Sequence, residues 1–136
     1  MSIAARIDDA RLLWEAGRRE GAFLSVLVAV AAASRTKYPN VKSDREAFER
    51  FVAESFRISL SVEFRGQLHS IEHVLYKWLR CELVHEGAVP FDITFMEEAE
   101  PGSMSVRAGG PPENVLKLGH GWFDHLSRAA LRVVEP

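Results

Sequence analysis

Cysteine is almost missing from this chain: Cys81 is the only one in 136 residues. A single thiol excludes an internal disulfide and a zinc site built from several cysteines, and it fits a reducing, cytosolic setting. Strong charge of either sign is missing too. Seventeen lysines and arginines against nineteen acids leave a net charge of −2. No overall basic field gathers nucleic acid without selectivity, so any RNA contact has to be local. A long hydrophobic run is also absent. The most apolar stretch, Ala22 to Ala33, has twelve residues and is flanked by Arg18, Arg19, Arg35 and Lys37. That is too short to span a bilayer. A charged amphipathic segment precedes it, which is not how a signal peptide begins. The stretch reads as a buried core helix, and no membrane association is expected. Repeats and low-complexity segments are lacking as well.

What is present suits one globular domain over residues 1–136. Hydrophobic residues make up 47% and charged residues 26%, enough to build a core and keep a wet surface. Ile3, Ile7, Ala10, Leu13 and Trp14 form one stripe of a first helix over Ser2 to Ala16. Gly17 and Gly21 bracket a charged corner. The second helix then runs to about Ser34, apolar nearly all round, and belongs in the middle of a bundle. Tyr38-Pro39-Asn40 is a loop. Ser43 followed by Glu46 is a capping box that starts a third helix, with Phe48, Phe51, Val52 and Phe56 on its buried face. Ile58 to Val62 alternates and reads as either a short strand or a lead-in. The spacing of Leu68, Ile71, Leu75, Trp78, Leu79 and Leu83 predicts a fourth helix over Glu63 to Glu86, stopped by Gly87 and Pro90. Alternation in Phe91–Phe95, Met104–Val106 and Val115–Leu118, with turn signals at Pro101-Gly102 and Gly109–Pro112, predicts a small β insert over about 90–118. A last helix covers Gly119 to Val134. The fold class is mainly α: a five-helix up-and-down bundle with a small β insert before the last helix.

Two constellations could carry chemistry. The first is Arg80 with His85, near the end of the fourth helix. Arginine stays charged and offers paired planar donors to a phosphate. Histidine gives or takes a proton near neutral pH. RNA cleavage needs both: a base for the 2′-hydroxyl and positive charge for the phosphorus transition state. The plainer reading is that cations in a last helical turn answer the helix dipole, worth ~0.3–1 kcal/mol each. Five residues also amount to ~140° around a regular helix, so the two side chains need not face the same way. The second constellation is His69-Ser-Ile-Glu-His73, which matches the H-x-x-E-H pattern of inverted zinc peptidases. Its third ligand would come from Glu97, Glu98, Glu100 or Glu113, none in a recognisable context. The plainer reading is a solvated or interface face. His69, His73, Tyr76, Lys77 and Arg80 fall near one line of the fourth helix, opposite its apolar side. Glu82 projects toward the apolar side and needs Arg80, another cation or a capping partner. Cys81 reads as a small packed residue rather than a nucleophile.

The stretch Leu75-Tyr-Lys-Trp-Leu-Arg80-Cys-Glu-Leu-Val-His85-Glu-Gly87 resembles the signature helix of the HEPN family (higher eukaryotes and prokaryotes nucleotide-binding): an Arg, four to six residues, then a His at the end of a long helix. The apolar second helix followed by Asp44-Arg-Glu-Ala-Phe-Glu-Arg-Phe51 is similar in layout to bacterial HEPN-like proteins. The likeness covers roughly residues 5 to 87, plus a helical tail. It implies a homodimer whose two Arg–His tips line one cleft, where active members cut RNA without metal or cofactor. By that analogy Arg80 holds the scissile phosphate and His85 is base or acid. His69, His73, Tyr76 and Lys77 would form the RNA-binding wall, with Tyr76 stacking on a base and Lys77 on a phosphate. Active members usually carry a polar residue, often Asn, just after the Arg; here it is Cys81, a poor hydrogen-bond partner. The resemblance thus implies either a metal-independent endoribonuclease, of toxin or defence type with an antitoxin protein as partner, or a non-catalytic dimeric module that binds nucleotide, RNA or a protein.

Overall fold

Helices dominate the computed structural model, which describes residues 2–57, 59–109 and 115–135. Helix α1 (Ile3–Glu15) starts at Ser2, whose hydroxyl accepts from the Ala5 amide at 3.2 Å, supplying one of the acceptors that a helix start needs. Ile3, Ile7 and Ala10 are its buried residues. It ends where Gly17, at φ 78°, turns the chain. The Arg18 amide donates to the Leu13 carbonyl and the Gly17 amide to that of Trp14, the paired bonds of a Schellman end. Helix α2 (Arg19–Lys37) follows at once. As its composition demands, it buries residues on most of its circumference, from Ala22 and Phe23 to Ala33 and Ser34. It packs against α1, against α3 (Asp44–Phe56), and against the fourth and last helices. The Ser43 hydroxyl accepts from the Glu46 amide at 3.0 Å, the expected start of α3.

Strands β1 (Ser61–Phe64) and β2 (Gln67–Ser70) form an antiparallel hairpin, pairing Val62 with His69 and Phe64 with Gln67. This corrects the expectation of a helix from Glu63. The turn residues are Arg65 at φ 52° and Gly66 at φ 79°, and a two-residue turn that is left-handed at both positions matches the twist of a hairpin. Val62 and Phe64 point inward, whereas Leu68, counted by its spacing among the core of a helix, is 75% exposed. Arg65 also reaches across to Asp92, making two hydrogen bonds at 2.7 and 3.0 Å.

Helix α4 (residues 71–86) begins at Ser70, whose hydroxyl accepts from the His73 amide at 3.3 Å. It is not regular: α-helical Ile71–Val74 passes into π-helical Leu75–Cys81 and back to α-helical Glu82–Glu86. Gly87 at φ 74° closes it, its amide donating to the Leu83 carbonyl at 3.0 Å. Its buried residues include Ile71, Leu75, Trp78, Leu79 and Leu83.

The expected β segment comes next as β3 (Ile93–Met96), β4 (Val106–Ala108) and β5 (Leu116–Gly119). The order is β3-β5-β4, with β5 parallel to β3 and antiparallel to β4. Phe91, placed in a strand by its alternation, lies before β3 and is 92% exposed. The turn signal at 110–112 falls outside the described residues. Helix α5 (Gly121–Val134) closes the chain and buries Trp122, Phe123, Leu126 and Ala130. Its start is capped from 23 residues away: one Glu98 carboxylate oxygen accepts from the Gly121 and Ser105 amides, both at 3.0 Å. Aromatic stacking joins the layers, Trp14 on Phe123 at 4.2 Å and Phe23 on Phe95 at 4.3 Å between ring centres. Among the described residues no helix is long and apolar enough to cross a membrane.

Gly119 and Gly121 are required by that cap. A Cβ on Gly121 would collide with the Ser103 carbonyl, and one on Gly119 with the Glu98 carboxylate. Because a backbone carbonyl cannot swing aside as a side chain can, Gly121→Ala is expected to cost about 2 kcal/mol or more, read as a lowered urea midpoint. An unchanged midpoint would show that the corner is loose.

Candidate functional site

The polar side of α4 faces α3, and two groups of side chains gather there. In the first, Arg80 lies beside Tyr76 and Cys81. Tyr76 packs edge-on against Phe48 at 5.3 Å. Burial, then the neighbouring Cys81, pushes its hydroxyl above the usual tyrosine range. Tyr76 is therefore half inside the α3–α4 seam rather than presented as a free stacking surface. Arg80 is half-buried, and its Nε is sealed from solvent with no hydrogen-bond partner. The other half-buried arginines all have partners: Arg6 pairs with Asp9, Arg19 with the Trp14 carbonyl and Arg35 with Asp44. Arg80 alone among them has neither carboxylate nor carbonyl within reach among the described residues.

His85 sits in the last turn of α4, exposed. No hydrogen bond joins it to Arg80 among the described residues. The chain between them is α-helical from Glu82 on, so the five-residue step carries them to different sides.

The second group surrounds Trp78. His69 and His73 lie with ring centres 5.6 Å apart, and each rests edge-on near the indole, at 4.8 and 5.7 Å. The Lys77 ammonium is 4.8 Å from the same ring. Glu49 on α3 reaches His73, with 3.3 Å between carboxylate oxygen and Nδ1, and is itself held by Arg45 at 2.6 Å. The 3.3 Å contact is close enough for an ion pair but poorly aligned, so His73 Nδ1 is buried without a true hydrogen bond. Burial, then the charges of His73 and Lys77, holds His69 below the ordinary histidine range.

Several expected placements change. His69 belongs to β2 and not to α4, so His69 and His73 are not one turn apart on a single helix. Of the five residues expected along a wet line, only Lys77 is exposed; His69, His73, Tyr76 and Arg80 are all partly covered. Of the possible third zinc ligands, Glu98 is committed to the α5 cap, and the described residues contain no group of three placed to hold a metal. Glu113 lies outside the described residues. Glu82 has Arg65 as its neighbouring cation, already engaged with Asp92. Glu49 and Arg45 were missed entirely. Their spacing on α3 marks an ordinary surface pair, and only the tertiary fold brings them to His73.

The Rv1289 family profile matches residues 2–130. The chain belongs to the Rv1289 family. No curated protein and no solved structure matches it. The matched span of this Rv1289-family chain runs from α1 into α5 and takes in Glu49, His69, His73, Tyr76, Lys77, Arg80 and His85.

A depressed histidine gives a pH signature. The unfolded chain takes up a proton on His69 near pH 6.5, where the folded chain does not. Its share of stability is present above that value and is lost as pH falls below it. His120, lowered by burial and then by Arg19, acts in the same direction. Urea midpoints should therefore drop from about pH 7.5 to about pH 5.5, and His69→Gln should weaken that drop. A midpoint as pH-sensitive in the variant as in the parent would remove His69 as a cause.

Proposed function

We propose that this chain is a HEPN-like module that binds the phosphate of RNA or of a nucleotide at Arg80. The observation that carries the reading is the state of that guanidinium. It is partly withdrawn from water, with one nitrogen sealed off, and no acid among the described residues offsets it. Withdrawing a cation from water is costly without an anion to meet it, and a phosphate oxygen meets that need with charge-assisted bonds. Lys77, exposed one turn earlier, and the His69–His73 pair would extend the contact along α4. The five helices are read as an up-and-down bundle, and the working form as a cytoplasmic homodimer in which two α4 tips line one cleft.

A second reading is metal-independent cleavage of the bound RNA, as in a toxin held by an antitoxin protein. His85 favours it, being exposed at the same helix tip. Against it stand Cys81, turned toward Tyr76, and the different sides that Arg80 and His85 take. Binding without cleavage is thus the better-supported form.

The test uses the purified protein and end-labelled single-stranded RNA in EDTA, followed by anisotropy and by gel. Arg80→Ala should weaken binding by about tenfold or more, the loss of a charged contact of ~1.5–3 kcal/mol. The RNA should stay intact. Strand scission that survives EDTA and is lost in both Arg80→Ala and His85→Ala would establish the nuclease instead. Equal affinity of parent and Arg80→Ala would sink both readings. A strictly monomeric mass by light scattering would remove the shared cleft.

A further inference from the structure

The corner between α1 and α2 meets the tip of α4 around a cleft of about 760 Å³. That volume is within the range of small-molecule sites, ~300–1,000 Å³. Leu13, Leu24 and Leu83 give it an apolar wall, and Arg18, Arg19 and Glu20 give it charge. Two cations against one acid leave a local charge of one positive unit.

Arg19 is the informative residue. Its guanidinium lies 4.0 Å above the Trp14 ring, and Nη1 donates to the Trp14 carbonyl at 2.8 Å. Trp14 is itself fixed, stacked on Phe123 and flanked by His120 at 5.0 Å. The planar head is therefore held in place before anything binds, with donors left over and no carboxylate paired to it among the described residues. A guanidinium already ordered spares a ligand the cost of ordering it.

We propose that this cleft binds a small monocarboxylate with an apolar body, the carboxylate on Arg19 and Arg18 and the body against Leu13, Leu24 and Leu83. A single negative charge suits the local balance, whereas Glu20 opposes a di- or triphosphate. A fork of planar donors suits a carboxylate, and the leucines suit an alkyl or aryl group. The site does not depend on Arg80, so the two proposals stand or fall separately.

The probe is octanoate, titrated into the full-length protein and followed by ¹H–¹⁵N chemical shifts. Saturable binding is expected, with shifts centred on residues 13–24 and 83–87. Octanol, octylamine and inorganic phosphate should each bind at least about tenfold more weakly, since each lacks one half of the recognition. Arg19→Gln should weaken octanoate about tenfold, and Arg80→Ala should leave it unchanged. If Arg19→Gln does not fold, Arg18→Glu at the exposed rim carries the test with the same expected loss. No saturation by about 10 mM, a level corresponding to only ~3 kcal/mol of binding, would overturn the proposal. So would octanol binding as tightly as octanoate, or an affinity indifferent to both arginine substitutions.

Discussion

A helix apolar on nearly every side has to be enclosed, and that demand on α2 arranges the other elements. Ala22, Phe23, Val26, Leu27, Ala29, Val30 and Ala33 are buried and leave only a narrow, half-buried stripe at Leu24, Val28 and Ala31. At roughly 25 cal/mol per Å² of apolar surface, leaving even one of those faces open would cost several kcal/mol. Helices α1, α3, α4 and α5 therefore close around it. The alanines allow close approach, and Phe23 reaches out to stack on Phe95 of the sheet. Function is pushed to the seams between the enclosing helices and to their ends, because the centre is almost wholly apolar.

In the α3–α4 seam, polar side chains are accordingly half covered rather than displayed. Glu49 meets His73, Tyr76 leans on Phe48, and Arg80 keeps part of its guanidinium away from water. Partial burial makes such groups consequential. A fully solvated arginine would not need an anion, and a fully buried one would already have its own. The other end of the bundle repeats the logic with Arg19, where an indole face and a carbonyl oxygen do the holding.

Much of the helical frame was legible from residue order. The Ser43 cap, the Gly17 and Gly87 turns and the near all-round apolarity of the second helix each rest on local chemistry, and local chemistry is what a sequence displays. The hairpin at 61–70 was not legible as such. Leu68 and Ile71 happen to sit at helical spacing from Leu75, and Arg65-Gly66 lacks the Asn or Asp that usually announces this turn. What stabilises it, Arg65 on Asp92, spans 27 residues. The same holds for Glu98 at the head of α5 and Glu49 beside His73: each is a surface-type residue whose role is conferred by distant chain. For the candidate site, residue identities were visible but their grouping was not. Residue order sets Arg80 beside His85 and His69 on a helix; the fold instead sets His69 and His73 round Trp78 and leaves His85 by itself.

The π-helical stretch in α4 has a consequence for how such a tip can change. A π turn is an α turn that has accepted one surplus residue. Lose that residue anywhere between 75 and 81, and the hydrogen-bond ladder can close to a plain α-helix with the residues beyond it facing much as before, because the wide turn had already absorbed the extra one. The direction in which His85 faces is thus buffered against a one-codon deletion upstream, and the tip of α4 has slack in length at this one place.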